Sequence, residues 1–175
     1  MYGVIAPLGY FDPLGFLESQ TYDEKKRYRE SELKHGRVAM LATVGILVGE
    51  SPFKPFFGGR IQGAAIYHFQ EARNLVPYFW LLPLFLIALV EGLTIARGYE
   101  SYEESQGRFA KLKQNYIPGD LGFDPLRLKP LNFVDFDDMR TKEINNGRLA
   151  MIGIAGMIAQ ECVDQKGILE HLFSK

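Results

Sequence analysis

The sequence predicts an all-α membrane protein with three transmembrane helices, the first and third related by an internal pseudo-two-fold repeat. Three observations support this fold class: one long apolar run, two flanking helical segments that repeat each other, and an uneven distribution of basic residues. Short amphipathic helices are predicted between and after the spans. At 175 residues we expect a single domain, residues 1–175, with spans at about 31–50, 76–97 and 142–161.

Composition excludes several function classes. A net charge of −1 argues against nucleic-acid binding, and the single cysteine, Cys162, excludes an internal disulfide framework and a multi-cysteine metal site. The first twenty residues have no basic segment followed by an apolar core, so they do not predict a signal peptide. If the protein is imported into an organelle, we expect its targeting segment to be missing already from this sequence.

The middle span is the one obvious membrane segment. Val76 to Ala96 provides 21 residues, and a bilayer needs about 20. We expect Pro83 to kink this helix, which transmembrane helices tolerate. The alternative is a buried core helix of a soluble protein, although such a helix rarely runs this far without a polar face.

The flanking spans are weaker as single segments, because each begins with charged residues and becomes apolar only afterwards. The distribution of basic residues supports them jointly. Segments 1–30 and 98–141 hold four and six Lys or Arg, whereas segments 51–75 and 162–175 hold three and two. With three spans the two richer segments lie on the same side of the membrane, and such a bias favours one orientation.

An internal repeat relates the first and third spans. RESELKHGRVAMLATVGILVGE (29–50) aligns with RTKEINNGRLAMIGIAGMIAQE (140–161) at eight identities in 22 positions, and FDPL at 11–14 recurs at 123–126. One span separates the copies, so both repeat helices cross in the same direction, related by an axis along the membrane normal. Small residues should allow close backbone approach between them: Gly36, Ala39 and Gly45 in the first helix, and Gly147, Ala150, Gly153 and Gly156 in the second.

The repeat also predicts partners for its charged residues. Glu32 and Arg37 are five residues apart, about 140° around a helix, so they should not pair well with each other. Two-fold symmetry offers reciprocal pairs instead, Glu32 with Arg148 and Glu143 with Arg37. Partners are expected because each charge costs roughly 2.5–3.5 kcal/mol at the centre of a membrane helix. A purely structural role, in which these pairs only lock the helices together, is equally open.

Each copy also presents a Glu-x-x-(His/Asn) edge. His35 follows Glu32 by three residues, and Asn146 follows Glu143 in the same way, which places oxygen and nitrogen ligands on one helix face. One interpretation is a carboxylate di-iron site. That site would need a second histidine and two further glutamates, and only Glu91 is available on the middle helix. The other interpretation is a metal held in a macrocycle, which needs a single axial group.

The segments ESELKHGRVAMLA and KEINNGRLAM, the FDPL segments and the spacing of the chain resemble the chlorophyll-binding light-harvesting complex family over nearly all 175 residues. This resemblance implies the magnesium of chlorophyll as the metal. Position by position it implies axial ligands, supported by Arg37 and Arg148, at Glu32, His35, Glu91, Glu143, Asn146 and Gln160.

Some positions stay open within the resemblance. His68 is a further candidate ligand or a surface histidine of an amphipathic loop helix, and His171 is weaker because plant antennae carry their ligand histidine a few residues further along. Gln160 could instead be a polar helix end, and Glu91 an interfacial residue. The plant pattern continues from Glu91 to an arginine three residues later, where this chain has Thr94. We expect Arg97 or a residue elsewhere to compensate. Residues Asp164–Phe173 predict a short interfacial helix.

The segments PLGYFDPLGF and IYHFQEA resemble the red-lineage algal branch, the fucoxanthin-chlorophyll a/c proteins. The resemblance implies chlorophyll a, chlorophyll c and two central carotenoids of fucoxanthin or related xanthophyll type, with ends near the FDPL segments. It implies a non-enzymatic antenna of the chloroplast thylakoid membrane that passes excitation to a photosystem, for which photosystem I is a plausible candidate and photosystem II stays open. Expected partners are the photosystem core, neighbouring antenna subunits and thylakoid lipids. A photoprotective quencher of the same fold and, more distantly, a membrane di-iron enzyme are the alternatives.

Overall fold

The computed structural model of the chain describes residues 3–7, 9–51, 57–61, 63–101, 103, 105 and 111–173. Within these ranges the chain is helical and forms no strand beyond two isolated bridges between single residues. The elements in chain order are α1 (Tyr22–Glu50), a 3-10 turn (Phe57–Gly59), α2 (Ala65–Leu75), α3 (Leu81–Gly98), α4 (Phe133–Asp164) and α5 (Ile168–Phe173). The predicted all-α class is confirmed for the described part of the chain.

The chain forms two compact units. The first unit contains Met1–Gly36 and Leu89–Gly147, and the second contains Arg37–Ala88 and Arg148–Lys175. Residues of α1, α3 and α4 are therefore divided between the units. The expectation of one domain over residues 1–175 stays a prediction.

Helices α1 and α4 each begin nine residues earlier than the predicted spans 31–50 and 142–161. At the start of α1, Thr21 and Glu24 form a capping box, in which Thr21 N donates to Glu24 Oε2 at 2.8 Å and Glu24 N donates to Thr21 Oγ1 at 3.4 Å. At the start of α4, Asn132 Oδ1 accepts from the backbone N–H two residues later at 3.3 Å. These caps stabilise the first turns of both helices.

Helix α3 is shorter than the predicted span 76–97, because residues 76–80 form a turn. Val76 O accepts from Phe79 N at 3.0 Å, and the helix begins only at Leu81. Pro83 therefore lies in the first helical turn, where backbone N–H groups have no intrahelical acceptor and a missing one disturbs nothing. Helix α3 runs without interruption to its end, and the expected kink at Pro83 stays a prediction.

Helix α3 passes a test of length and apolarity for crossing a membrane, with a mean hydropathy of 1.7 over its 18 residues. Only 11% of that segment is buried, whereas the core helix of a soluble protein is mostly buried. Within the described part of the chain, no other helix passes the same test. The prediction of three spans is therefore not confirmed.

Helices α1 and α4 approach each other closely in the first unit at two glycines. A Cβ built on Gly36 would lie 3.0 Å from Gly147 Cα, and one on Gly147 would lie 3.0 Å from Gly36 Cα. These glycines are equivalent in the repeat, so their contact is reciprocal, as a two-fold relation requires. The expected close approach is confirmed there. It is wrong for Gly45, Gly153 and Gly156, where an added Cβ would meet no other described part of the chain within 4 Å.

The two FDPL segments fold into the same turn. The carboxylate of Asp12 accepts from the backbone N–H groups four and five residues later, at 3.1 and 2.9 Å. Asp124 does the same at 3.0 and 2.9 Å. Hydrogen bonds from the backbone N–H groups of Lys129 and Leu128 hold the pKa of Asp124 below its usual value. The repeat therefore extends from the sequence to individual side-chain contacts.

Candidate functional site

Glu32 is half-buried on α1 and has a partner close in sequence. Arg29 Nη1 donates to Glu32 Oε2 at 2.6 Å, which forms an ion pair between residues three apart. Sequence reasoning missed this partner, although side chains three apart on a helix are neighbours. The predicted pairs of Glu32 with Arg148 and of Glu143 with Arg37 each join residues of different units and stay predictions.

His35 is exposed on α1 and its ring has a defined orientation. Nδ1 lies 2.8 Å from the carbonyl oxygen of Ser31, one turn earlier. A carbonyl oxygen can only accept, so this contact assigns the ring proton to Nδ1 and leaves a lone pair on Nε2. Metal-ligating histidines are commonly oriented in this way, by donating the other ring N–H to a carbonyl. His35 therefore presents a ligand nitrogen on an exposed helix face.

Glu91 lies on α3 and pairs with a cation of α1. Lys34 Nζ donates to Glu91 Oε2 at 2.6 Å. The residue that compensates for the absent arginine is therefore Lys34 and not Arg97. Arg97 turns to another loop, where its Nη1 would lie 3.0 Å from a Cβ built on Gly122. Thr94 satisfies its own hydroxyl by donating to the carbonyl one turn earlier at 2.9 Å.

Gln160 and His171 share one carboxylate in the second unit. Gln160 Nε2 donates to Asp164 Oδ2, one turn later on α4, and His171 Nδ1 lies 2.9 Å from the same oxygen. Because the amide nitrogen is donating, Oε1 is the atom of Gln160 that can act as a ligand. Asp164 is not among the predicted site residues. Its spacing of four from Gln160 could have indicated the pair.

His68 lies on α2 and is oriented less favourably for a ligand. Its Nε2 lies 3.1 Å from the carbonyl oxygen of Gly63, which assigns the proton to Nε2 and the lone pair to Nδ1. A Cβ built on Gly49 would lie 3.4 Å from that Nδ1, so the lone pair faces the backbone of α1. A ligand role for His68 would therefore require its ring to turn.

The remaining predicted residues lie on α4 and in the middle of α1. Glu143 is half-buried and Asn146 is exposed, one helical turn apart, as Glu32 and His35 are in the first copy. The supporting arginines of the two copies, at positions 37 and 148, are both half-buried. The two copies therefore place equivalent polar groups in equivalent degrees of burial.

A polynuclear metal centre is not supported by the arrangement of these residues. Wherever the structure describes the chain, no three or more His, Cys, Asp or Glu side chains are grouped so that they could hold a metal ion. A carboxylate di-iron centre needs about six such ligands around one cavity. The predicted ligands are instead separate, which suits one metal per ligand.

Cavities adjoin candidate residues in both units. In the first unit a cavity of about 440 Å³ is lined by Glu32 and by Leu17 of the first FDPL turn. In the second unit a cavity of about 410 Å³ is lined by small residues of α1 and α2 and by four aromatic rings, those of Phe57, Phe69, Phe79 and Trp80. Both volumes suit part of a small apolar molecule, since such sites occupy about 300–1,000 Å³.

Comparison with known proteins decides between these interpretations. The chlorophyll A-B binding protein family matches residues 1–162 of the chain. The chain belongs to this family. The family resemblance inferred from the repeated helix motifs is thereby confirmed, and with it chlorophyll as the class of cofactor.

Relatives of this chlorophyll-binding chain include two kinds of named protein. Light-harvesting complex stress-related protein 3.2, chloroplastic, of Chlamydomonas reinhardtii is 49% identical over 97% of this chain and 66% of its own length. Stress-related protein 1 of the same alga is 48% identical over 97% of the chain and 67% of its own length. A fucoxanthin-chlorophyll a-c binding protein, chloroplastic, of Isochrysis galbana is 43% identical over 89% of the chain and 73% of its own length. The chain thus spans about two thirds of the stress-related relatives.

The side-chain geometry fits the needs of a chlorophyll-binding protein. The magnesium of chlorophyll takes a single axial oxygen or nitrogen donor, and carboxylate, amide and imidazole groups can all supply it. At His35 and Gln160 a hydrogen bond fixes one polar atom of the side chain and leaves the other as the ligand atom. At Glu91 the ion pair engages Oε2, while Oε1 accepts no hydrogen bond from the residues that the structure describes. His68 fits least well of the predicted set.

Proposed function

We propose that the chain is a pigment protein of the chloroplast thylakoid membrane that crosses the bilayer three times, through α1, α3 and α4. The composition of α3 supports its crossing directly. The lengths of α1 and α4 support theirs, because 29 and 32 residues span about 43 and 48 Å, more than a hydrocarbon core of about 30 Å. Their hydropathy is lowered by charged residues that we assign to pairing and ligation, which is how charged groups are retained within membranes.

The proposed pigment sites use one axial ligand for each chlorophyll magnesium. The observation that carries this assignment is the orientation of His35, whose Nδ1 donates to Ser31 O at 2.8 Å and whose Nε2 keeps a lone pair on an exposed face. The same role is proposed for the other polar groups of the three long helices, with Arg37 and Arg148 as ion-pair support: Glu32, Glu91, Glu143, Asn146 and Gln160. We assign His68 a ligand role only if its ring turns away from Gly63.

The function proposed for this assembly is light harvesting, which makes and breaks no bond. Bound chlorophylls and carotenoids supply light absorption and excitation transfer. The protein residues hold those pigments at fixed positions, supply axial donors and keep water away from them. The close Gly36–Gly147 crossing serves this task, since the helices lie near enough that a Cβ added at Gly36 would be only 3.0 Å from Gly147 Cα.

The pigments proposed are chlorophyll a, chlorophyll c and carotenoids of fucoxanthin or related xanthophyll type. Similarity to a protein named for fucoxanthin and chlorophyll a-c supports this set. The two cavities, one beside an FDPL turn and one lined by aromatic rings, offer space for the apolar ends of carotenoids. The proposed partners are a photosystem core, of photosystem I or II, neighbouring antenna subunits and thylakoid lipids.

A second candidate function is photoprotective quenching by the same fold. It is favoured by a specific observation, the 49% identity to proteins that are named stress-related. The ligands would be the same in both functions, so the chain geometry supports them equally. The difference lies in what happens to the excitation after it reaches chlorophyll.

Purified pigment-loaded protein tests both candidates. Pigment extraction should recover chlorophyll and carotenoid, and His35→Ala should recover one chlorophyll fewer for each polypeptide while helical content is kept. Carotenoid-excited chlorophyll fluorescence with a long lifetime supports harvesting, and a strongly shortened lifetime supports quenching. Protein that contains iron and no pigment would contradict both.

A further inference from the structure

The ion pair between Lys34 and Glu91 connects two helices and has no counterpart in the second repeat. Lys34 is on α1, Glu91 is on α3, and Nζ and Oε2 are 2.6 Å apart. The position equivalent to Lys34 in the second copy is Asn145, which is uncharged. Helix α3 is not duplicated, so it has only one Glu91. The helix that pairs with Glu91 is α1, the copy that carries a lysine at this position.

Glu91 needs a cation because of its surroundings. It is the one acidic residue of Leu81–Gly98, a helix whose residues are largely apolar and only 11% buried within the protein. If this helix crosses the bilayer, an uncompensated carboxylate would cost roughly 2.5–3.5 kcal/mol. Thr94 does not meet this need, since it is uncharged and its hydroxyl donates to Val90 O, and the Arg97 guanidinium lies beside Gly122 instead. Lys34 meets it with the flexible reach of its long side chain.

The geometry leaves part of the carboxylate available. The ammonium engages Oε2, and the Glu91 side chain is still 48% exposed. A carboxylate can therefore accept from a lysine on one oxygen and act as a donor to a metal through the other. An anionic ligand with an adjacent ammonium makes a site of zero net charge, which suits apolar surroundings.

We propose that Lys34 is the positioning residue of the middle-helix pigment site, the cation whose ion pair with Glu91 Oε2 at 2.6 Å orients that carboxylate as the axial ligand of a chlorophyll magnesium. This inference rests on the proposed function. A merely structural ion pair would join the helices in the same way. The two roles make different predictions for a neutral residue at position 91. In the positioning role that residue must still be able to ligate magnesium, whereas in the structural role it need not.

A series of variants separates those roles through pigment stoichiometry. Lys34→Met keeps the length of the side chain and removes the charge, so it should lose one chlorophyll for each polypeptide. Lys34→Met combined with Glu91→Gln has a neutral ligand that needs no counter-ion, so it should regain the full number. Lys34→Met combined with Glu91→Leu removes both charges and the ligand, so it should stay one chlorophyll short. Lys142→Met, an exposed helix cation with no ion pair among the described residues, is the control and should keep the full number.

The outcomes divide cleanly. The inference is overturned if the Gln and Leu double variants bind the same number of chlorophylls, because the pair is then structural only, or if Lys34→Met loses none. If Lys34→Met yields no pigmented protein, the two double variants decide in the same way. A wild-type protein without chlorophyll would sink the proposed function as well. Loss of one chlorophyll in His35→Ala, with no loss across the Lys34 series, would sink this inference alone.

Discussion

The substitution Gly36→Ala tests the crossing of the two repeat helices. The added Cβ would lie 3.0 Å from Gly147 Cα and 3.5 Å from Gly147 C, both backbone atoms. Carbon atoms prefer a separation of about 3.5–4.0 Å, so the helices must move apart by several tenths of an ångström. Overpacking of this kind costs about 1–3 kcal/mol, against which alanine gains about 0.8–1.0 kcal/mol in helix propensity.

Gly45→Ala on the same helix is the matched control, because its added Cβ would meet no described atom beyond its own helix within 4 Å. Both variants gain the same helix propensity, so their difference isolates the steric cost of about 1–3 kcal/mol. For a chain of this size that corresponds to a Tm lower by about 2–12 °C in Gly36→Ala than in Gly45→Ala.

The assay is thermal unfolding of the pigment-loaded protein in detergent, followed by circular dichroism, with pigment content measured for each variant. Gly147→Ala should behave like Gly36→Ala, since its Cβ would meet Gly36 Cα at the same 3.0 Å. The double variant should cost less than the sum, because one shift of the helices relieves both contacts. Equal Tm values for Gly36→Ala and Gly45→Ala would refute the close crossing.

Four further predictions concern single side chains. His35→Ala should lose one chlorophyll by pigment extraction with helicity unchanged, and an unchanged ratio of pigment to protein would remove His35 from the ligands. Glu143→Ala should lower both pigment content and Tm more than His35→Ala, because we expect Glu143 to act as a ligand and as the partner of an arginine. Asp164→Ala should lower pigment content by releasing the amide of Gln160, while pigment content equal to wild type would show that no orientation is needed. The pKa of Asp124 is lowered in the folded protein, so its turn should stabilise the protein above about pH 4 and lose that contribution as pH falls further. The Tm values of Asp124→Asn and of wild type should therefore converge in acid. A difference in Tm that stays constant with pH would contradict this.

Helix boundaries show where sequence reasoning reached its limit. The predicted spans found all three long helices but missed the first nine residues of both α1 and α4. Those turns are helical because of local caps, Thr21 with Glu24 and Asn132, and hydropathy does not register caps. In α3 the apolar run continued through residues 76–80, where the chain forms a turn. Apolar character alone cannot distinguish a turn from a helix within one hydrophobic stretch.

The sequence by itself determined the duplication and the family and indicated the candidate ligands, because identities at a fixed offset and polar groups at helical spacing are properties of the chain order. Contacts within one helical turn, such as Ser31 with His35, were also within its reach. Only the tertiary structure decided which glycines meet and which cation serves Glu91. Gly36 and Gly45 are indistinguishable as small residues, and Lys34 is 57 positions from Glu91. The roles of these residues depend on where separate helices cross. The position of that crossing is set by the packing of the whole unit.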